Sequence, residues 1–313
     1  MYLSIVVPCY NEQEVIHITH KKLSNLLNRW KSKKLIDQYE IIYVNDGSND
    51  KTLSYLKEIS NKNSSHKILS FSGNFGHQAA LSAGLHHAHG NAVVSLDADL
   101  QDPPEVIEEM IKKYNEGFEI IYGVRRSRKK DTMFKRLTAQ TYYSFMKSMK
   151  VNLIYNHADF RLISKPVLNE FKKYNEINRF LRGIFPLLGF KQCIVEYERE
   201  ERFAGVTKYP LKKMLSFAVE GITSFSFIPL RIASIIGFIV FLISIGMGIW
   251  ALSRKLLGFV VPGWSSIVIP LYVFSGLQMC FLGIMGEYIG KIYKEVKNRP
   301  IYIVQEKINF DAE

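Results

Sequence analysis

The length, composition and charge of the chain limit the class of protein. Its 313 residues are 47% hydrophobic and 13% aromatic, which excludes a disordered protein and allows one domain of about 200 residues with an appendage. The 41 Lys and Arg against 29 Asp and Glu give a formal charge of +12, which suits nucleic acid, an anionic membrane surface or phosphate-bearing substrates. Nucleic acid is disfavoured because no zinc-finger, helix-turn-helix or aromatic RNA-binding signature occurs. Three distant cysteines match neither a disulfide framework nor a metal site and favour a reducing, cytoplasm-facing location.

Apolar strand-like segments alternate with helix-like segments up to about residue 125. We predict strands at residues 3–8, 40–44, 66–71, 92–96 and 118–122, and helices that include residues 78–88 and 105–114. This alternation predicts an α/β fold with a mostly parallel sheet sandwiched by helices. Ligands of such sheets bind beyond the carboxyl ends of the strands, where Asp46, Asp97 and Asp99 fall.

The segment after the fifth predicted strand is strongly basic, with the sequence RRSRKKDTMFKR at residues 125–136. Residues 137–150 then mix aromatic and apolar side chains with lysines. Such a stretch is typical of an amphipathic helix in a membrane interface, but a solvated loop followed by a core-facing helix fits equally. Both interpretations stay open.

Two uncharged runs lie near the end of the chain, at residues 232–252 and 265–286. Each is long enough to cross a hydrocarbon core of about 30 Å as a helix. A buried helix of a soluble domain is the alternative, but two consecutive runs of this length favour a transmembrane hairpin with spans at about 232–252 and 265–287. Residues 212–227 form a second candidate interfacial helix that leads into the first span.

Positive charge flanking the two spans predicts their orientation. The basic residues outside the hairpin are Lys208, Lys212, Lys213 and Arg231 before it, and Lys291, Lys294, Lys297 and Arg299 after it. The connecting loop has only Arg254 and Lys255, so both termini are expected in the cytoplasm. We therefore predict a cytoplasmic catalytic domain (1–210), a juxtamembrane amphipathic helix (211–230), a hairpin (231–290) and a cytoplasmic tail (291–313) in which residues 301–304 could form a strand.

Asp97 and Asp99 form an Asp-x-Asp motif at the end of the fourth predicted strand. Residues i and i+2 of an extended chain project the same way, so both carboxylates can face one site. Two close carboxylates favour a cation between them, and hard oxygen ligands favour Mg²⁺ or Mn²⁺ bound together with substrate phosphates. Gln101 and Asp102 lie just beyond and could complete such a site. The motif alone is weak, because acidic pairs are common in loops.

Other polar residues have ordinary structural explanations. Taken alone, Asp46, before Gly47, is better explained as a turn former or helix cap, and Glu12 as part of a helix start. Four basic residues are individually unremarkable but could together neutralise a diphosphate leaving group and an acceptor phosphate: Arg125, Arg136, Arg202 and Lys208.

The order of the motifs resembles the family 2 inverting glycosyltransferases. The motifs are VPCYNE at 7–12, NDGS at 45–48, GNFG at 73–76, DADLQDP at 97–103, ADFRL at 158–162 and RFAGVTKY at 202–209. With the C-terminal hairpin they are similar to the polyprenyl-phosphate branch, which includes dolichyl-phosphate mannose synthases and bactoprenol glucosyltransferases. Ala158 departs from the glycine common in related bacterial sequences, but the following aspartate is retained.

The resemblance implies a GT-A fold, a nucleotide-sugar donor, a polyprenyl phosphate acceptor and membrane lipid as partners. The nucleotide-sugar would lie near Pro8, Tyr10, Glu12, Asp46, Asn74 and Asp97. The metal, Mg²⁺ or Mn²⁺, would be bound by Asp99 and Gln101, and the phosphates by Arg125, Arg136, Arg202 and Lys208. Asp159, Asp97 and Asp99 would be the catalytic residues, with Asp159 on the acceptor side. A UDP-linked hexose or N-acetylhexosamine, an undecaprenyl carrier, a role in cell-envelope glycan modification and a homo-oligomer, plausibly a tetramer, follow from the same resemblance.

The chemistry of this acceptor limits the mechanism. A lipid monophosphate has a second pKa near ~6, so it is largely ionised at neutral pH and barely needs a strong base. Asp159 is therefore expected to orient the acceptor as much as to remove a proton, while the metal and arginines stabilise the leaving diphosphate. A non-catalytic nucleotide-binding scaffold or flippase component is one alternative. A processive polysaccharide synthase is another, but no Gln-x-x-Arg-Trp motif occurs.

Overall fold

The computed structural model describes residues 1–126, 157–177, 179–198, 226, 228–257 and 264–310. The strands are β1 (Tyr2–Cys9), β2 (Gln38–Asn45), β3 (His66–Phe71), β4 (Ala92–Ser95), β5 (Ile120–Arg125), β6 (His157–Ser164), β7 (Gln192–Tyr197) and β8 (Val304–Ile308). The helices are α1 (Ile16–Ser32), α2 (Thr52–Lys62), α3 (His77–His86), α4 (Ile107–Asn115), α5 (Lys165–Phe171), α6 (Leu181–Leu187), α7 (Ile228–Leu256) and α8 (Trp264–Val296), with a 3-10 turn at Pro104–Val106. The five predicted strands and the α/β fold are thereby confirmed.

All eight described strands form one sheet, in the order β7-β5-β6-β4-β1-β2-β3-β8. Strands β1 to β4, β5 and β7 run in one direction, whereas β6 and β8 are antiparallel to their neighbours. The carboxyl ends of β1 to β4 therefore meet at one edge, and β6 begins at that same edge. The central β1 lies between β2 and β4, which is the switch point where open α/β sheets bind ligands.

Helices cover both faces of the sheet and give it two apolar cores. Helix α1 presents Leu23, Leu27 and Trp30 to the core that it shares with α2 and α4, because these residues recur at helical spacing. Helices α3, α5 and α6 form the second core on the opposite face. Helix α3 packs closely against the sheet, since a Cβ at Gly84 would lie 2.2 Å from a Val6 methyl.

Helices α7 and α8 lie in the regions of the two predicted spans. Each has a stretch long and apolar enough to cross a membrane, at Ile228–Met247 and Val273–Val296. Large apolar side chains along α7, such as Phe238 and Ile249, are more than half exposed. The helices extend beyond the predicted spans of 232–252 and 265–287 at both ends.

The chain returns to the sheet after α8. Strand β8 pairs antiparallel with β3, and the Ser72 N–H donates to the Ile303 carbonyl (3.1 Å). Our domain division instead ended the catalytic domain at residue 210 and left residues 291–313 as a tail. The sequence pattern did not identify β8 as part of the sheet, because its partner β3 lies more than 200 residues earlier. The β8 sequence VQEKI also has polar residues at its three central positions, so it carries little hydrophobic signal.

Several predictions fall on residues outside the described ranges. They include the interfacial segment 137–150, most of the segment 212–227, and Arg136, Arg202 and Lys208. These remain predictions.

Candidate active site

The predicted donor residues lie near the carboxyl ends of β1 to β4. Pro8 is a buried residue of β1 opposite Val44 of β2, whereas Tyr10 is 44% exposed at the end of that strand. The Glu12 N–H donates to the Thr52 hydroxyl (2.8 Å), and the Glu12 carbonyl accepts the first N–H groups of α1. Glu12 thus contributes to a helix start, as its position in the sequence indicated.

Asp46 binds the loop that precedes α3. Its two carboxylate oxygens accept the Phe75 N–H (2.7 Å) and the Gly76 N–H (2.9 Å), and only 2% of the residue is exposed. Burial raises the pKa of Asp46, although these two bonds act against the rise. The approach requires Gly47, which has φ +65° and whose added Cβ would lie 2.3 Å from the Gly73 backbone. Asp46 therefore shapes the loop carrying the exposed Asn74.

The acidic motif occupies the turn after β4. Ala98 is buried, and its carbonyl accepts the Thr19 hydroxyl (2.6 Å), while Asp97 and Asp99 on either side are half-buried. The Asp99 carboxylate accepts the Gln101 N–H (3.1 Å), a local turn that holds these two proposed metal ligands together. Burial raises the pKa of Asp97, and the nearby acidic side chains raise it further.

This oxygen donor set fits a hard divalent cation bound mainly through substrate. Asp99 and Gln101 offer carboxylate and amide oxygens beside the switch point of the sheet. Within the described residues no three His, Cys, Asp or Glu side chains converge to hold a metal by themselves. Mg²⁺ usually binds one or two carboxylates together with substrate phosphates, and oxygens of a diphosphate would suit these two ligands.

Asp102 serves a structural ion pair. Its carboxylate, 1% exposed, accepts Arg125 Nη2 (3.0 Å) and the Tyr197 hydroxyl (2.6 Å). This triad joins the acidic loop to β5 and β7. Arg125, which we expected to bind phosphate, thus has its charge balanced by Asp102. No local sequence pattern indicates this pairing, because the two residues lie on separate elements.

Asp159 is the most strongly bound carboxylate at this edge of the sheet. One oxygen accepts Arg161 Nη2 (2.5 Å), and the other accepts Arg182 Nη2 (3.0 Å) and the Gln78 amide (3.2 Å). Burial opposes ionisation, but Arg182 and the neighbouring donors outweigh it and hold the pKa of Asp159 well below its ordinary range. A carboxylate so placed is an anchor for cations and a poor proton acceptor at neutral pH.

His77 connects the two acidic groups. Its Nε2 lies 3.6 Å from Asp97 Oδ1 and 3.5 Å from Asp159 Oδ2. Partial desolvation opposes protonation, but the hydrogen bond with Asp159 and the charge of Asp97 raise the pKa of His77 to about 9. The imidazolium thus lies between the Asp97 and Asp159 carboxylates.

Sequence reasoning missed four residues of the Asp159 cluster: His77, Gln78, Arg161 and Arg182. One signal was available, because Arg161 follows Asp159 by two residues on a strand and so shares its face. The others come from α3 and α6, which meet only in the folded protein.

An α/β sheet with an acidic turn at its switch point and cationic groups beside it is suited to bind a phosphorylated substrate. The family model described as glycosyl transferase family 2 matches residues 4–172, and the chain therefore belongs to that family. An uncharacterized glycosyltransferase (YkoT) of Bacillus subtilis is 50% identical over 96% of this chain and 90% of its own length. A prophage-derived bactoprenol glucosyl transferase of Shigella flexneri is 40% identical over 98% of both chains.

Among solved structures, a glucosyl-3-phosphoglycerate synthase of Mycobacterium tuberculosis with Mn²⁺, UDP-glucose and phosphoglyceric acid matches 71% of this chain and 77% of its own. Its sequence identity is 16% and its TM-score 0.45.

Proposed function

We propose that this glycosyltransferase moves a sugar from a UDP-linked donor to a polyprenyl phosphate at the cytoplasmic face of a membrane, with inversion at the anomeric carbon. The main support is that the acidic turn and the Asp159 cluster lie at the same edge of the sheet. The same chain also has two long apolar helices that could cross a membrane. The full-length similarity to a protein named bactoprenol glucosyl transferase supports the same acceptor class. Undecaprenyl phosphate is the acceptor that we favour, and a cell-envelope glycan is its proposed destination.

The donor is proposed to bind at the carboxyl ends of β1 to β4, near Pro8, Tyr10, Glu12, Asp46, Asn74 and Asp97. Asp46 acts there through the loop that it fixes, since both of its oxygens accept backbone N–H groups. Asn74 lies on that same loop and is exposed. Asp46 would thus influence donor affinity indirectly.

Asp99 and Gln101 are the residues that we propose to hold Mg²⁺ or Mn²⁺. When bound, the cation would neutralise charge on the departing nucleoside diphosphate. The chain contributes the turn that keeps Asp99 and Gln101 adjacent, through the 3.1 Å bond between the Gln101 N–H and Asp99. Asp97, contacted by His77, would face the same side of the loop.

Asp159 is proposed to orient cations around the acceptor instead of acting as its base. Its low pKa and its four polar partners support this role, and the acceptor phosphate is itself largely ionised at neutral pH. The proposed nucleophile is a phosphate oxygen that attacks the anomeric carbon as the bond to the diphosphate breaks. The leaving diphosphate takes the electron pair of that bond.

The two apolar helices are proposed to cross the membrane with both chain ends on the cytoplasmic side. Basic residues after α8 and at the start of α7 support this orientation, because cytoplasmic flanks are enriched in Lys and Arg. Return of the chain to the sheet as β8 supports it too, because both ends of the hairpin must then lie on the side of the catalytic domain. Assembly as a homo-oligomer, with a tetramer as the specific form, completes the proposal.

The function can be tested with the purified full-length chain in lipid nanodiscs. Undecaprenyl phosphate, Mg²⁺ and each of several radiolabelled nucleotide-sugars are supplied, and nucleoside diphosphate release and labelled lipid are both measured. We expect one donor to give acceptor-dependent release, and we expect excess chelator or the Asp99→Ala variant to abolish it. Asp37→Ala, at an exposed carboxylate remote from the site, is the matched control.

Two results would contradict this proposal in different ways. Donor binding without diphosphate release for any donor would favour a non-catalytic scaffold. Full transfer in excess chelator would remove the metal from the mechanism while leaving the transfer itself intact.

A further inference from the structure

Arg182 occupies the outer side of the Asp159 cluster. It lies in the first turn of α6, and its Nη2 is 3.0 Å from Asp159 Oδ2. Its side chain is 45% exposed, whereas those of Asp159 and Arg161 are each 2% exposed. Guanidinium groups stay protonated in proteins. Two guanidinium groups therefore share the Asp159 carboxylate, and the Arg182 side chain is the more exposed of the two.

The segment before Arg182 runs from the second apolar helix to the site. At its start, the Ile177 N–H donates to both carboxylate oxygens of Glu295, in the last turns of α8 (3.1 and 2.9 Å). At its end, the Leu181 N–H donates to the Gln78 side chain (3.1 Å), which also contacts Asp159. Arg182 thus follows two residues with fixed backbone contacts, Ile177 and Leu181, and its guanidinium contacts the buried Asp159 carboxylate.

We propose that Arg182 binds the phosphate monoester of the lipid acceptor, with Asp159 as the positioning residue that orients its guanidinium. The inference rests on the function proposed above and assigns its acceptor phosphate to a particular side chain. A guanidinium can form paired hydrogen bonds with a phosphate, and a bond to a fixed carboxylate reduces the rotamer freedom lost on binding.

The position of Arg182 in the sheet favours the acceptor over the donor diphosphate. Asp159 lies near the start of β6, on the β4 side of β1, whereas the proposed donor residues other than Asp97 lie in or after β1, β2 and β3. The proposed metal ligands after β4 lie between these two groups. A diphosphate bound at Asp99 would therefore have the donor loops on one side and Arg182 on the other. That second side is where the incoming phosphate must approach for an in-line displacement.

The test compares a phosphate with the matching alcohol. Farnesyl phosphate and farnesol are titrated into the full-length chain in nanodiscs, with binding measured by calorimetry at matched lipid content. We expect the wild-type chain to prefer the phosphate, and Arg182→Gln to lose about tenfold to a hundredfold of that phosphate affinity, as for a lost charged hydrogen bond. Affinity for farnesol and for UDP-sugar should not change. Arg182→Lys should recover part of the preference, because it retains the charge without the paired geometry.

Arg29→Gln is the matched control, since Arg29 is also half-exposed and also faces a carboxylate, that of Glu108. A wild-type chain that binds farnesol as well as farnesyl phosphate would refute the proposed acceptor and this inference together. A wild-type preference that Arg182→Gln keeps would overturn the inference alone. An equal loss of UDP-sugar affinity would assign Arg182 to the donor and also overturn it. If Arg182→Gln does not fold, the Arg182→Lys variant decides, and an unchanged phosphate preference there counts against the proposal.

Discussion

The buried carboxylate of Asp159 offers the sharpest test of the site. Asp159→Asn removes its negative charge while keeping nearly the same shape. Arg161, with 2% of its side chain exposed, then loses its charged partner. Its other contacts, the Leu181 carbonyl (3.1 Å) and the Phe185 ring (4.7 Å), carry no formal charge. The variant therefore leaves a buried cation without a compensating anion.

The loss in free energy of unfolding caused by Asp159→Asn can be bounded from the contacts of Arg161 and Arg182. Removing one partner of a buried ion pair typically costs about 3–5 kcal/mol. Because Arg182 supplies a second, half-exposed contact that water can replace, the cost at Asp159 should come from Arg161. For a domain of this size we expect the melting temperature to fall by roughly 6–20 °C. Thermal unfolding in detergent measures it, with Asp37→Asn as the exposed control.

A double variant separates stability from catalysis. Adding Arg161→Met to Asp159→Asn removes the buried cation, so most of the lost stability should return, because the main cost of the single variant is an uncompensated buried charge. Transfer activity should stay low, since Arg182 has still lost its charged anchor. Activity that returned at raised pH in the single variant would instead identify Asp159 as a base. An Asp159→Asn chain that melted like wild type would refute the reasoning altogether.

Two further predictions concern groups outside the cleft. The Glu40 carboxylate is 1% exposed. Burial opposes its ionisation, but hydrogen bonds from Lys67 (2.8 Å) and two other donors outweigh burial and lower its pKa. The ionised Glu40 should therefore contribute stability above about pH 4.5, its pKa in the unfolded chain, and this contribution should be lost as the pH falls through the lower folded pKa. Glu40→Gln should accordingly lower the melting temperature at pH 7 and make stability less dependent on pH in the acid range. The Tyr302 ring stacks on the Phe71 ring with centroids 5.0 Å apart, and Phe71 contacts the Phe75 ring. The backbone N–H of Phe75 donates to the Asp46 carboxylate. Tyr302→Ala should raise the donor KM severalfold with little change in kcat, and unchanged donor kinetics would show that β8 does not influence the loop.

The sequence predicts the frame of this enzyme better than its side-chain partners. Strands such as β1 and β3 are identified because short apolar runs between turn residues carry their own signal. The Asp-x-Asp placement follows from the same local logic, since Ala98 is buried between its two half-buried neighbours. Predictions that depend only on nearby residues therefore agreed with the structure.

Side-chain partners are harder to predict from sequence. The resemblance implied that Asp46 lies near the donor and Arg125 near the phosphates. In the structure Asp46 binds two backbone N–H groups and Arg125 pairs with Asp102, and both ligand roles stay predictions. Arg182, in contrast, carried no sequence signal, because its importance depends on α6 meeting β6. The charge of a residue can be read from sequence. Whether another residue balances that charge is decided by contacts between distant elements.

The return of the chain to the sheet links the apolar helices to the chemistry. Strand β8 pairs with β3 on one side of the domain, and Glu295 holds Ile177, near Arg182, on another. The end of α8 is thus attached to the sheet through the pairing of β8 with β3, and it also binds Ile177, which precedes Arg182 in the chain. If α8 crosses the membrane, its cytoplasmic end cannot tilt without straining one of these attachments. The fold would then hold the cleft at a fixed height above the lipid surface, which suits an acceptor whose phosphate is confined to that surface.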